Sequence, residues 1–362
     1  MINEFRRQGH EIITLPFPEQ NSVEETLRLI LLKSMECKPD AIVTLNGMGF
    51  DKKGYTISML SELALPVVIW YLDNHQFIGP YFEDTIPDWA IAFTYEKALL
   101  KSLQSAGFQH TFYLPLATDP DIGNSIPSTS YEYLRDRITY VGSTFSATVN
   151  KYHTPEFEKT YHAWNPDFSS LKQQQGRINL DAEFAQFRDT FTDIEDFRLF
   201  TAYVTASEIR RHRAGRLSCL TDQPLVVFGS EDWSDYLPHH LLRPPVDYKY
   251  DRSHVYRNSA VNLSFTALQQ ETALNQRYFD VPMSGGFLVG EWQEALTDHF
   301  ALDTEAVYFR DDHELRDKTR YYLNHPSERE KIIRRARERV LSEHLMEHRV
   351  QAMLSCIKQI CK

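Results

Sequence analysis

Short apolar runs ending in turn residues alternate with stretches of helical periodicity along almost the whole chain, and no other feature restricts the fold as much. Val23–Met35 carries Leu27, Ile30, Leu31 and Met35 at helical spacing; Pro39-Asp40 then breaks the chain, and Ala41–Leu45 (AIVTL) reads as a buried strand ending in Asn46-Gly47. A helix over Tyr55–Leu63 precedes a second buried strand, Pro66–Leu72 (PVVIWYL). Trp89–Phe93 is a third strand, Lys97–Ala106 a helix and Thr111–Leu114 a fourth strand. Roughly the first 120 residues thus make one Rossmann-like half, because such alternation builds a doubly wound parallel sheet. A second series opens with Ile138–Val141 (ITYV) before Gly142-Ser143 and continues through Leu225–Phe228, Val261–Phe265, Gly286–Val289 and Ala306–Phe309. Between Thr144 and Gly215 the composition turns helical and polar, and a basic helix over Ile209–Leu220 leads into the next strand. Helices over Asp312–Leu323, Pro326 to about Leu341 and Met346–Ile360 close the chain. The expected fold class is α/β, with two Rossmann-like domains facing each other across a cleft.

Length and charge agree with this and remove other classes. The 362 residues suit two domains at ~150 residues each. With 42% hydrophobic and 25% charged residues, collagenous, low-complexity and disulfide-scaffold classes are excluded. No apolar run approaches the ~18 residues that span a bilayer, and MINEFRRQGHEIITL has no apolar core or cleavage site of a secretory signal, so a cytoplasmic location is expected. Lys plus Arg is 39 against 50 Asp plus Glu, and the net charge of −11 repels phosphate backbones, so no nucleic-acid partner is expected. The basic stretch Arg329–Arg339 alternates with acids and reads as a solvated helix face. Cys37, Cys219, Cys356 and Cys361 form no CxxC pair or zinc spacing and read as reduced thiols.

In an open parallel sheet, ligands bind beyond the carboxyl ends of the strands. That rule selects Asn46-Gly47, Asp73-Asn74-His75, Gly142-Ser143, Gly229-Ser230 and Gly285-Gly286, each of which is otherwise a tight turn. None fits GxGxxG or GxxxxGK[ST], which disfavours NAD binding and P-loop chemistry. The stretch Glu271–Glu291 (ETALNQRYFDVPMSGGFLVGE) is the most informative: Leu274, Arg277, Tyr278 and Val281 fall at helical spacing, and Pro282 ends or kinks the helix before the glycines. Arg277 and Asp280, three apart, share a helix face. There an arginine can meet a diphosphate and a carboxylate the hydroxyls of a ribose; alternatively the two form a surface ion pair.

At this stretch a family resemblance begins. RYFDVPMSGGFLVGE, EAVYF at Glu305–Phe309 and ELRDKTRYYLNHPSEREKIIRRARERVLSEH resemble the C-terminal half of CgeB-type spore maturation proteins, glycosyltransferase-like proteins of the GT-B fold. KPDAIVTLNG, LPVVIWYLDN, the Ala106-Gly107 turn, YLPLATDP and ITYVGS follow the same family's order, so the resemblance covers nearly the whole chain. It implies an acceptor-side domain over 1–137, a nucleotide-sugar-binding domain over 138–345 with a helical insertion at 144–215, and a crossover helix at 346–362 that returns to the first domain. Carried over residue by residue, Asp280 stands where the family's ribose-binding glutamate sits, and Arg277 matches the arginine three positions earlier. Gly285 and Gly286 match the glycines beneath the diphosphate. Gly142-Ser143 and Gly229-Ser230 match the strand ends facing the cleft, and Tyr250 lies where such proteins contact the base.

The sequence departs from the family in three places. Retaining relatives often carry two glutamates separated by seven residues; here seven residues separate Asp280 from Thr272, and Glu271 is one position too early. A His-Asp pair of many relatives reads Leu72-Asp73, with His75 two residues on. The usual opening strand with its glycine loop is absent, the sequence starting at what reads as a helix. The expected reaction is retaining transfer of a sugar from a nucleotide diphosphate sugar to an acceptor hydroxyl, without a metal, since helix N-termini and Arg277 would stabilise the leaving diphosphate and no metal-binding Asp-x-Asp motif is read. No cofactor beyond that donor substrate is expected. Asp73 and His75 are the candidate catalytic residues, toward the sugar or the acceptor hydroxyl; their alternatives are an N-cap and a loop histidine. His344 and His348, four apart without a third ligand, read as crossover-helix residues near the domain joint. A non-catalytic protein of this fold that binds a nucleotide or glycan, or assembles a surface structure, is the alternative; an epimerase or phosphorylase has no positive feature.

Overall fold

Each of the nine apolar runs is a strand in the computed structural model, in which residues 1–15, 23–51, 55–63, 65–78, 86 and 88–360 are described. The chain divides into two compact units, Met1–Leu116 with Met346–Lys362, and Ala117–Leu345. The division falls after Leu116 rather than after residue 137, so 117–137 fold with the second unit. The cause is apolar: Tyr131 and Leu134 are buried against Val226, Phe228 and Val255 of that unit.

The first unit holds β1 (Ile42–Leu45), β2 (Val67–Tyr71), β3 (Ile91–Thr94) and β4 (His110–Tyr113), paired in sequential order and all parallel. β2 is buried at every position, as a strand covered on both faces must be. Its alternate residues divide between two cores: Val67, Ile69 and Tyr71 join Ile30, Ile57 and Leu60, whereas Val68 and Trp70 meet Phe5, Val350 and Met353. Val350 and Met353 belong to the final helix, Met346–Ile360, which therefore covers one face of this sheet. Arg349 of that helix donates from Nε to the Pro115 carbonyl at 2.8 Å.

The second unit holds β5 (Ile138–Val141), β6 (Leu225–Phe228), β7 (Leu242–Arg243), β8 (Val261–Ser264), β9 (Leu288–Glu291) and β10 (Val307–Phe309). β7 is the one strand here that no apolar run announced; two residues are too few to leave a pattern. The order is β10-β9-β8-β5-β6-β7, all parallel. From β5 the chain steps first to one side and then returns to the other, so the order reverses between β5 and β8. Such a reversal opens a crevice at the carboxyl ends of the two strands, because their following loops diverge. Both faces of this sheet are also covered: Leu225 and Val227 enter one core, Val226 and Phe228 the other.

Between β5 and β6 the chain forms the helices Ser146–Tyr152, Pro155–Trp164, Phe168–Gln175 and Leu180–Phe184 before the 25-residue helix Ile194–Ser218. The insertion has an aromatic core of its own, in which Phe157, Phe184, Phe187 and Phe191 surround Phe200.

Candidate functional site

The carboxyl end of β5, at the strand-order reversal, is built around Gly142. Gly142 N donates to the Phe228 carbonyl at 2.9 Å, and its own carbonyl accepts the Trp233 indole N–H at 2.8 Å. A Cβ on Gly142 would lie 2.8 Å from both Arg277 Nη2 and the Tyr140 hydroxyl, and one on Gly229 would lie 2.5 Å from the Gly142 carbonyl. Side chains are thus excluded from both corners by close packing. Gly142-Ser143 and Gly229-Ser230 lie at the carboxyl ends of neighbouring strands, and Ser230 immediately precedes the short 3₁₀ turn Glu231–Asp235 without a side-chain capping bond. Asp232 in that turn accepts from Thr144.

Arg277 opens the helix Arg277–Met283, which follows the loop after β8. It is not a surface residue. Its guanidinium lies over the Tyr140 ring, 5.3 Å from the centroid, and donates to the carbonyl of Val141, the last residue of β5. Asp280 is 1% exposed and does not pair with Arg277. Its Oδ1 accepts from Thr118 Oγ1 at 2.6 Å and from Gln276 Nε2 at 2.9 Å, and its Oδ2 faces Arg252 Nη1 at 3.1 Å. Burial raises the Asp280 carboxyl above the usual carboxylate range, and Arg252, Thr118 and Gln276 pull in the opposite direction. The surface-pair alternative for Arg277 and Asp280 is therefore corrected: Asp280 is buried, Arg277 is half-buried, and each has other partners.

Gly285 and Gly286 need a second correction. They precede β9 and so lie at its amino end, whereas the Gly142 corner is at the carboxyl ends. Their conformation belongs to the end of the helix: Gly285, at φ +81°, and Gly286 donate to the Pro282 and Val281 carbonyls, both at 2.9 Å. A Cβ on Gly286 would lie 2.5 Å from the Tyr256 carbonyl, so its smallness serves packing. Pro282 sits one residue before the helix end, as expected. Tyr250 is exposed; its carbonyl accepts from Ser125 Oγ at 2.8 Å, two residues before the Arg252 that faces Asp280.

Beside this corner lies a buried charge cluster that composition did not reveal. Glu291, the last residue of β9, accepts from the Thr266 backbone N–H and faces His212 Nε2, both at 2.9 Å. Arg216 Nη2 is 3.6 Å away. Burial by itself would raise Glu291, but His212, Lys172 and Arg216 outweigh it and hold the carboxyl far below its usual range. Lys172 donates to Gln293 Oε1 at 2.6 Å. Arg213, one residue on from His212, donates to the Ser143 carbonyl at 3.0 Å and covers the Phe145 ring. Two signals were available for this group. Glu291 ends a strand, and Arg213 falls on the helix stripe of Ala206, Ile209 and Leu217, all buried, where an apolar residue would ordinarily stand.

In the first unit, Asn46 organises the carboxyl ends of β1 and β2. Its Oδ1 accepts the Leu72 and Asp73 N–H groups at 2.7 and 3.2 Å, and its Nδ2 donates to Asp73 Oδ2 at 3.0 Å. Asn46 stands at φ +54°, which asparagine tolerates better than most residues. His75 opens a one-turn helix and its Nε2 lies 3.1 Å from Ser102 Oγ. Asp73 and His75 are thus near each other at one strand end, each held by a different neighbour. His344 packs on Phe279 and His299 in the second unit, whereas His348 lies in the final helix. One correction concerns the Asp-x-Asp reading: Asp119-Pro120-Asp121 is such a sequence, and it forms a turn in which Asp119 accepts from the Asp121 N–H at 2.9 Å. Among the described residues no group of three potential ligands could hold a metal ion, no helix is long and apolar enough to cross a membrane, and Cys37, Cys219 and Cys356 are free thiols; Cys361 lies outside those residues.

No curated protein matches the chain. Residues 209–355 match a family model described as glycosyl transferase-like. Among solved structures, sucrose-phosphate synthase from Thermosynechococcus elongatus aligns with a TM-score of 0.52 and 12% identity over 95% of this chain and 80% of that one. HepE of Anabaena, solved in complex with UDP and glucose, aligns with a TM-score of 0.51 and 8% identity over 95% of this chain and 83% of that one. At these identities the likeness is one of fold. The chain thus has the α/β fold of GT-B glycosyltransferase structures, with two parallel-sheet domains, and its residues 209–355 are glycosyltransferase-like.

Proposed function

We propose that the protein is a glycosyltransferase that moves a sugar from a nucleotide diphosphate sugar to an acceptor hydroxyl, with retention at the anomeric carbon and without a metal. The observation that carries this reading is Arg277, a guanidinium held at the strand-order reversal, against the Gly142 corner, inside the segment that matches the glycosyl transferase-like family. When the bond from the anomeric carbon to the diphosphate oxygen breaks, the electron pair leaves on the diphosphate. A fixed guanidinium in a poorly solvated site stabilises that charge more than water does, which lowers the barrier. Gly142, Ser143, Gly229 and Ser230 would let backbone approach the phosphates, Asp280 would exchange Thr118 or Gln276 for ribose hydroxyls, and Tyr250 would meet the base. Asp73 or His75 would hydrogen-bond the sugar or the acceptor hydroxyl. The setting we propose is cytoplasmic, with a glycan, protein or small molecule as the acceptor; assembly of a spore or cell-envelope structure belongs to the non-catalytic alternative.

A second reading has its own support. Asp73 is held by Asn46 and His75 by Ser102, so neither candidate catalytic side chain is unengaged. This favours a non-catalytic protein that binds a nucleotide or glycan. Calorimetry with UDP, GDP, TDP and ADP sugars tests the donor site: one of them binds if the protein is the transferase or a non-catalytic nucleotide binder, and none does if it binds a glycan alone or if both readings fail. Release of nucleoside diphosphate from the bound donor, equal in EDTA and in added magnesium, supports the metal-independent transferase. Binding with no release supports the non-catalytic reading.

A further inference from the structure

The helical insertion brings a second arginine to the Gly142 corner. Arg213 is 6% exposed, and its Nε, like Arg277 Nε and the Tyr140 hydroxyl, is buried without a hydrogen-bond partner. Arg277 donates to the Val141 carbonyl and Arg213 to the Ser143 carbonyl, so the two guanidiniums bracket Gly142 along the backbone. Among the described residues neither is within ion-pair distance of a carboxylate: Asp280 faces Arg252, and Glu291 faces His212 and Arg216. Burial lowers Arg213 below the usual arginine range; Tyr140 and Glu291 oppose this and the positive charge of Arg277 adds to it. Arg277 is itself raised, Tyr140, Tyr256 and Asp280 outweighing its burial. A buried and a half-buried cation beside each other, with three buried polar atoms left unpaired, make a place that an anion can join. The corner is open to one, because Ser143 is exposed. Of the three acids in the neighbouring turn, Glu231, Asp232 and Asp235, Asp232 is engaged by Thr144.

We infer that Arg213, supplied by the insertion, binds the diphosphate together with Arg277, so that the insertion is part of the donor site. The inference rests on the donor reading for the identity of the anion, and on the arginine pair for its place. A guanidinium at Arg213 can make two parallel hydrogen bonds to phosphate oxygens, which an ammonium cannot. It also explains why a basic residue interrupts the apolar stripe of the long helix.

The test is calorimetry on the full chain with UDP, GDP, TDP, ADP, their nucleosides and inorganic pyrophosphate, comparing the wild type with Arg213→Gln and Arg213→Lys. Circular dichroism and melting confirm folding; Arg213→Met, whose unbranched stem suits the apolar stripe, replaces a glutamine variant that does not fold. The expected result is a loss of about tenfold or more in nucleoside diphosphate and pyrophosphate affinity for Arg213→Gln, with nucleoside affinity within about twofold and partial recovery in Arg213→Lys. A folded variant that binds the diphosphates as the wild type does, or that loses nucleoside affinity by the same factor, overturns the inference alone. Wild-type binding of pyrophosphate but of no nucleotide overturns the donor reading and keeps the arginine pair as an anion site. Wild-type binding of neither overturns both.

Discussion

The two sheets of this protein are made from the same kind of strand and differ in what stands at their carboxyl ends. The first runs in sequential order, β1 to β4, and its strand ends are tied together by a neutral amide, Asn46, holding Asp73 and two backbone N–H groups. The second reverses order between β5 and β8, and there the strand ends carry two arginines at a glycine corner. A sequential sheet has no place where consecutive loops part, so its strand ends can be closed by local hydrogen bonds. A reversal leaves a gap that side chains must line, and in this chain they line it with positive charge. Strand composition therefore makes the sheet, while strand order and the residues just beyond it decide where a ligand can sit.

The comparison can be broken most forcefully at the buried carboxylates. Asp280→Ala leaves Arg252 buried without its counter-charge and should destabilise the second unit by about 3–5 kcal/mol. Asp73→Ala, at a half-buried site held by one amide, should cost about 1 kcal/mol or less in the first. Denaturant unfolding of both variants measures the difference, and equal losses would remove the contrast between the two strand ends. Next in size, Arg277→Gln should weaken binding of the preferred nucleoside diphosphate by about 1.5–3 kcal/mol, ten- to a hundredfold or somewhat more. Asn46→Ala should leave that affinity unchanged while lowering the melting temperature. Titration calorimetry decides, and an unchanged dissociation constant for Arg277→Gln would make Arg277 a structural tie to Val141 alone.

A smaller effect sharpens the account through pH. Glu291 has its carboxyl held below its unfolded value, so the unfolded chain takes up the proton more readily. Its stabilising contribution is present above about pH 4.5 and is lost as pH falls below that, with a slope of at most about 1.4 kcal/mol per pH unit. Asp280 has the opposite sign: its raised value means that its contribution declines as pH rises through the ordinary carboxylate range. Melting temperatures between pH 3 and 6 should fall on the acid side for the wild type and flatten for Glu291→Gln. An unchanged acid limb in that variant would show that the cluster with His212 and Arg216 does not govern acid stability.

Much of this was legible in the residues themselves. Strand positions could be read because a strand covered on both faces must be apolar throughout, as PVVIWYL and LVVF are. Gly142 and Gly229 could be read because they follow such strands directly. Gly285-Gly286 misled because a helix end and a strand beginning use glycine for reasons that look alike in one dimension, and only the direction of β9 separates them. Arg277 and Asp280 were found as a pair, but spacing along a helix does not reveal burial, so their separate partners Val141 and Arg252 were not foreseen. Thr118 and Arg213 reach the site from distant segments, and no local pattern encodes such an approach. Arg213 did leave one trace, a charge within an apolar stripe.

Hydrogen exchange of the full chain with and without a saturating nucleoside diphosphate tests the central claim most directly. The account predicts added protection at Gly142 to Phe145, Gly229 to Ser230 and Gln276 to Asp280, with Asn46 and Leu72 to His75 unaltered by the nucleotide alone. Protection confined to the β1 and β2 ends, or protection nowhere, would contradict it.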